Sequence, residues 1–82
     1  MEEEIGEVST FFGHVNVAAI KLSDKLMVGD TIRIKGSTTD FETEISEIQI
    51  NRNSVKEAKK GDHIGIKVKE KVRPHDKVFL VA

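Results

Sequence analysis

The chain carries one short pattern twice, and this pattern constrains its fold more than any other feature. The copies are 29–35 (Gly-Asp-Thr-Ile-Arg-Ile-Lys) and 61–67 (Gly-Asp-His-Ile-Gly-Ile-Lys). Glycine takes a positive φ without steric cost and aspartate bonds to nearby backbone amides, so each Gly-Asp pair predicts a turn. The isoleucines that follow alternate with other residues, as in a half-buried strand. A weaker third copy begins at His75-Asp76.

The same alternation, interrupted by turn residues, predicts six strands. They cover 5–12, 15–22, 31–35, 41–50, 63–69 and 77–81. Two strands change the parity of their apolar residues partway, which predicts a β-bulge in 15–22 and a second near Ser46-Glu47. A helix competes for part of 41–50, because Ile45 and Ile48 are three residues apart. Since bulges bend strands, we expect the sheet to curve.

Short strands with no helix of any length predict an all-β fold, a small closed six-stranded antiparallel (Greek-key) β-barrel. A five-stranded OB-type barrel is the alternative. The polar segment 51–60 joins two strands, and its Ser54–Glu57 capping box predicts at most one helical turn.

Composition indicates one domain and no strong global charge. The chain has 82 residues, no cysteine and a net charge of −1. We expect a flexible N-terminus at 1–4 and a single domain at 5–82. Because the start is acidic and no apolar run could form a secretory signal or a membrane span, we expect a cytoplasmic protein.

Two segments resemble known proteins. Lys25–Ile32 with Gly36, and Ala58–Ile66, are similar to turn-strand motifs in domain II of translation-factor GTPases, the elongation factor Tu kind. Similar barrels are also C-terminal additions to collagenase-like peptidases. The resemblance spans about 5–81 and implies a free-standing six-stranded barrel of the domain II type that binds RNA, the ribosome or a larger protein.

The departures from that family restrict what the resemblance implies. The chain has no phosphate-binding loop of the G-x-x-x-x-G-K-[ST] type, so we expect no nucleotide site of its own. His14 stands where the family has an arginine, and 14–28 is longer than usual. None of the family's tRNA contacts transfers to this chain.

Catalytic and metal-binding patterns are weak. The three histidines, His14, His63 and His75, have no nucleophile motif beside them. The carboxylates of Glu2–Glu4 and of Glu42 and Glu44 have no cysteine or paired histidine nearby, so they indicate a solvated surface. We therefore predict no enzyme, no catalytic residue, no metal and no cofactor.

The strongest candidate site is basic. The chain from Met1 to Asn51 has four Lys/Arg and ten Asp/Glu, whereas 52–82 has nine and four. Within the second part, basic residues stand two apart, so an extended backbone would place them on one face: Lys67, Lys69, Lys71, Arg73, His75 and Lys77. Such a stripe suits a phosphate backbone. The alternative is that Glu42, Glu44 and Glu47 on a neighbouring strand pair with it.

A second candidate site flanks the first turn. Phe11, Phe12, His14 and Asn16 lie there, and Phe11 has the parity opposite to that of Val8. We expect one phenylalanine to face solvent, where it could stack a base. The alternative is that both close the end of the barrel.

These observations favour a non-enzymatic, translation-elongation-factor-like binding module that contacts RNA or the ribosome, or a larger protein. The alternative is an accessory protein–protein interaction domain of a peptidase or GTPase system with no nucleic-acid role. The Gly29-Asp30 and Gly61-Asp62 pairs are interpreted as structural turns rather than sites.

Overall fold

The computed structural model describes residues 2–81 as ten antiparallel strands. They are β1 (Glu2–Phe12), β2 (Val17–Leu22), β3 (Leu26–Met27), β4 (Thr31–Lys35), β5 (Asp40–Glu44), β6 (Ile48–Ile50), β7 (Asn53–Val55), β8 (Glu57–Ala58), β9 (His63–Lys67) and β10 (Lys77–Val81). Eight strands form one sheet in the order β5-β4-β10-β1-β2-β9-β6-β7, and β3 pairs with β8. The predicted all-β class is confirmed.

Three copies of one turn organise the sheet. In each, an aspartate carboxylate accepts a hydrogen bond from the backbone amide three residues earlier: Met27 to Asp30 (3.0 Å), Lys59 to Asp62 (2.9 Å) and Arg73 to Asp76 (3.0 Å). The residue before each aspartate has a positive φ, 98° at Gly29, 92° at Gly61 and 77° at His75. The weak third copy of the pattern therefore forms the same turn, with histidine in place of glycine.

The strands after these turns place their isoleucines in one core. Ile32, Ile34 and Val78 have no exposed surface, and Ile64 and Ile66 are 2% exposed. β4 and β10 have the predicted bounds, and β10 lies between β4 and β1, which covers both its edges. The core therefore lies on the inner face of a sheet that curves around it.

The predicted bulge in 15–22 is wrong, because the register shifts in β1 instead. β2 is regular, and Ala18, Ile20 and Leu22 all point inward. β1 has one extra residue between Val8 and Thr10, where it pairs with β2, and another between Glu4 and Gly6, where it pairs with β10. The change of parity in the sequence arises because Val15 lies in an exposed turn and Val17 points outward.

The single strand predicted at 41–50 is two strands. β5 ends at Glu44 at one edge of the sheet, and β6 begins at Ile48 near the opposite edge. Between them, Ile45 is buried and exchanges backbone hydrogen bonds with Gly29 and Asp30 (both 2.8 Å). The change of parity near Ser46-Glu47 therefore marks a break, not a bulge, and no helix forms there.

Three other predicted boundaries differ from the structure. The helical turn at Ser54–Glu57 is absent, because Asn53–Val55 and Glu57–Ala58 form β7 and β8. β1 begins at Glu2, since Glu2–Glu4 pair with β10, and β9 stops at Lys67 rather than at residue 69. Met1, in the segment predicted to be flexible, lies outside the described residues.

The described strands do not form the predicted closed ladder of six. Within residues 2–81, no backbone pairing joins the edge strands β5 and β7. The segment 28–30 lies between them instead: Val28 donates to the Lys56 carbonyl (2.9 Å), and Gly29 donates to the Ile45 carbonyl (2.8 Å). The β3–β8 pair is thus connected, through this segment, to the residues that follow β5 and β7.

Candidate interaction surface

The structure brings parts of the two predicted sites together. Val17, just after the first turn, pairs with Lys67 at the end of β9. The Val68 amide then donates to the Asn16 carbonyl at 2.9 Å. The aromatic hairpin and the start of the basic stripe, 50 residues apart in the chain, are therefore neighbours at one end of the sheet.

The basic stripe follows an irregular loop rather than a strand. Val68 and Val72 are 4% and 1% exposed, so they anchor the loop 68–76 on the core. The basic residues between and beside them are exposed: Lys67, Lys69, Lys71, Arg73, His75 and Lys77. The loop ends against β1, where His75 donates its backbone N–H to the Val8 carbonyl at 2.8 Å. The expected single extended face is therefore absent.

The stripe consequently divides into two parts. His75 and Lys77 lie beside Glu7, with nitrogen–oxygen distances of 3.2 and 3.6 Å, and Lys77 is also 3.9 Å from Glu4. Within residues 2–81, the other four basic residues form no ion pair: Lys67, Lys69, Lys71 and Arg73. Lys67, the first of these four, lies beside the aromatic hairpin through its pairing with Val17.

Two of the three carboxylates expected to neutralise the stripe, Glu42 and Glu47, have other partners. Glu42 accepts a 2.6 Å hydrogen bond from Arg33, which also lies 3.1 Å from Glu2 and 3.8 Å from Asp40. Glu47 accepts a hydrogen bond from Ser54. Glu42 thus lies at β4 and β5, away from the loop that follows β9, whereas Glu47 lines a shallow cleft together with Lys67 at the end of β9.

Glu7 gives a testable pH dependence. The hydrogen bond with His75 and the nearby Lys77 ammonium lower the pKa of Glu7 below its usual value of 4.5. This stabilisation is complete above the unfolded-state pKa and is lost as the pH falls through the lower folded-state pKa. Glu7→Gln should therefore lower the urea midpoint at neutral pH, and the difference from the wild type should close on acidification below about pH 4.5.

The control for this prediction is Glu3→Gln on the same strand. Glu3 is exposed and has no ion-pair partner within residues 2–81, so its substitution should leave the midpoint nearly unchanged. A difference between Glu7→Gln and wild type that persists at acidic pH would contradict the assigned role of Glu7.

In the hairpin, the exposed aromatic residue is Phe12 rather than Phe11. The bulge at Ser9 changes the parity of β1, so Phe11 pairs with the buried Ala18 and packs against the core. Phe12 is 44% exposed. His14 and Asn16 lie in the exposed turn, where Asn16 has a φ of 56°.

The histidines and the carboxylates form no metal-binding cluster in the part of the chain that the structure describes. Among residues 2–81, no three or more of the His, Asp and Glu side chains are close enough together to hold a metal ion. The three histidines lie apart, His14 in the first turn, His63 at the start of β9 and His75 in the third turn. The same residues contain no helix that could span a membrane.

The fold is thus that of a small all-β module with an exposed apolar and basic end. No family model matches the chain. An uncharacterized protease of Methanocaldococcus jannaschii is 44% identical to it over 79 residues, covering 95% of this chain and 19% of the protease. A collagenase of Porphyromonas gingivalis is 39% identical over 77 residues, covering 92% of this chain and 21% of the collagenase.

A solved structure with the same fold is the C-terminal domain of a Geobacillus thermoleovorans protein assigned as a U32 peptidase. Its TM-score is 0.91 at 19% identity, covering 98% of this chain and 93% of that domain. The selenomethionine variant of that domain gives 0.88 at 20% identity, covering 93% of this chain and 96% of that one. This likeness shows the shared fold alone.

The chain spans about a fifth of the length of the curated relatives it matches. These relatives support the resemblance to collagenase-like peptidases. The resemblance to translation factors and the expectation of an RNA or ribosome partner gain no support from them.

Proposed function

We propose that the chain is an accessory protein–protein interaction domain of a peptidase system, and that it contributes binding rather than catalysis. The observation that carries this proposal is the extent of the similarity. It covers more than nine-tenths of this chain but only about a fifth of proteins named protease and collagenase. The remaining four-fifths of each relative lies outside the matched region.

The surface of the chain supports a binding role. Loop 68–76 is held by two buried valines, so its lysines stand on an anchored segment. Large apolar side chains are exposed at Phe12 and Val15 beside it. The closed barrel expected from the sequence belongs to this proposal too, with the β3–β8 pair completing the wall between β5 and β7.

A nuclease-controlled pull-down tests the proposal. The tagged chain is incubated with lysate of the organism that encodes it, with and without nuclease, and bound proteins are identified by mass spectrometry. We expect a protein of the peptidase group to be retained equally in both samples. Recovery of only RNA or ribosomal proteins that nuclease removes would contradict the proposal.

A further inference from the structure

The outward face of β2 is apolar, although a sheet that covers its core on one side is usually polar on the other. Ala18, Ile20 and Leu22 point into the core, so Val17 and Ala19 point outward, and both are half-buried. The position of this strand in the sheet, between β1 and β9, makes its outer face the centre of a three-strand surface.

The strand register extends this apolar face sideways. Residues directly opposite each other on neighbouring strands share a face. Phe12 and Lys67 both pair with Val17, and Thr10 and Gly65 both pair with Ala19. The first row is therefore phenylalanine, valine and lysine, and the second is threonine, alanine and glycine.

The second row carries small side chains at its centre. Gly65 has no side chain and its partner Ala19 has one methyl group, and the Cγ1 atom of Val17 covers part of Gly65, 3.3 Å from where a Cβ would stand. A shallow cleft of about 110 Å³ lies at this part of the sheet, and it is lined by Val17, Glu47, Gln49, Gly65, Ile66 and Lys67. Phe12 and Val15, which are 44% and 46% exposed, stand at the hairpin end of the surface.

Positive charge borders this face. Lys67 ends the first row and Lys69 follows in the anchored loop, whereas Lys21, the next outward residue of β2, lies opposite Glu7 of β1, and Glu47 lines the cleft beside Lys67. None of these ammonium groups forms an ion pair with a carboxylate of residues 2–81. An apolar centre with a charged rim is the usual anatomy of a protein–protein interface.

We propose that the outer β2 surface, comprising Phe12, Val15, Val17, Ala19 and Gly65, docks a partner protein that presents apolar side chains bordered by carboxylates. The inference rests on the proposed function and names its contact surface. The carboxylates complement the lysine rim and guide encounter, and the apolar contact excludes water. A nucleic acid fits less well, because Phe12 is the single aromatic side chain among these five residues and the other four offer no face for a base to stack on.

The decisive variant is Ala19→Arg. It adds a positive charge to a basic rim but places a long polar side chain at the centre of the apolar surface. Ala19→Arg should therefore lower the affinity for an acidic protein partner by steric exclusion. The same substitution would leave the affinity for RNA unchanged or raise it. Thr31→Arg is the matched control, because Thr31 is a half-buried, outward residue of β4 and the charge change is the same.

The test is an NMR titration of the labelled chain with three probes. They are a short synthetic peptide that alternates leucine with glutamate, its counterpart with lysine for glutamate, and a single-stranded RNA oligonucleotide. We expect saturable amide shifts at Phe12, Val17, Ala19 and Gly65 with the glutamate peptide only. Ala19→Arg should weaken that binding about tenfold or more, and Thr31→Arg should not.

Lys67→Glu provides a second variant if Ala19→Arg unfolds, since Lys67 is exposed at the end of β9. Lys67→Glu should lower the affinity for the glutamate peptide, and the loss should be largest at low salt. Shifts confined to other strands, equal binding of both peptides, or tighter binding of RNA than of peptide would each overturn the inference.

The two proposals fail in different ways. If the pull-down retains a peptidase-group protein equally with wild type and Ala19→Arg, this surface assignment is wrong and the proposed function stands. If the pull-down yields only nuclease-sensitive material, the proposed function itself is wrong.

Discussion

Gly36→Ala should lower the free energy of unfolding by about 3 kcal/mol, although it adds a single methyl group at an exposed position. That methyl carbon would lie 1.9 Å from Oδ1 of Asp76 and 2.6 Å from its Cγ. Asp76 is 5% exposed, and its Oδ2 accepts the hydrogen bond from Arg73 that shapes the third turn. The substitution must therefore displace a buried carboxylate and weaken the turn that begins β10.

Gly13→Ala is the matched control. Its added carbon would be 3.6 Å from the Phe11 ring, which is an ordinary contact, so the expected change is within about 0.5 kcal/mol. Asp76→Ala supplies the second arm, because it removes the atoms that clash. In the Asp76→Ala background, Gly36→Ala should lower the free energy of unfolding only slightly. Urea denaturation of the wild type, the two single variants and the double variant gives the coupling energy between the two positions. Equal costs in both backgrounds would show that the clash with Asp76 is not the cause.

Turn chemistry was predictable because it is local. Gly29-Asp30 and Gly61-Asp62 identify their turns through the backbone conformation of one residue and a hydrogen bond three residues back. His75-Asp76 forms the same turn even though histidine at a positive φ is disfavoured. The strands after these turns could be placed for the same reason.

Strand pairing was less predictable because it depends on partners distant in the chain. A change of parity looks alike in the sequence whether it comes from a bulge, a strand break or an apolar residue that points outward. The bulge expected in β2 proved to be the third case at Val17, and the one expected near Ser46-Glu47 proved to be the second. Only the positions of β1, β4 and β9 distinguish these origins.

The candidate surface shows the same division. Lysines spaced two apart and a Phe-Phe pair could be recognised in the sequence as two separate sites. The pairing of Val17 with Lys67 unites part of them, and the bulge at Ser9 exchanges the roles of Phe11 and Phe12. The outward valine and alanine of β2 were visible as a break in periodicity, but only the sheet register shows that they face solvent.

Leu26→Ala tests whether the small β3–β8 pair is part of the cooperative core. Leu26 has no exposed surface and pairs with Ala58, which is 4% exposed. Removing its side chain leaves a cavity, and a buried Leu→Ala change of this kind costs about 2–5 kcal/mol. We therefore expect the urea midpoint to fall sharply with an unchanged slope, as for loss of stability within one folding unit.

Met27→Ala is a neighbouring control on the same short strand. Met27 is 42% exposed and loses a side chain of similar size, so we expect a change of about 0.5 kcal/mol or less. A large difference between the two variants would show that burial of Leu26 in the β3–β8 pair contributes to the stability of the whole domain. If both variants unfold close to the wild type, the eight-stranded sheet is stable without that pair, and the wall proposed between its edges contributes nothing to folding.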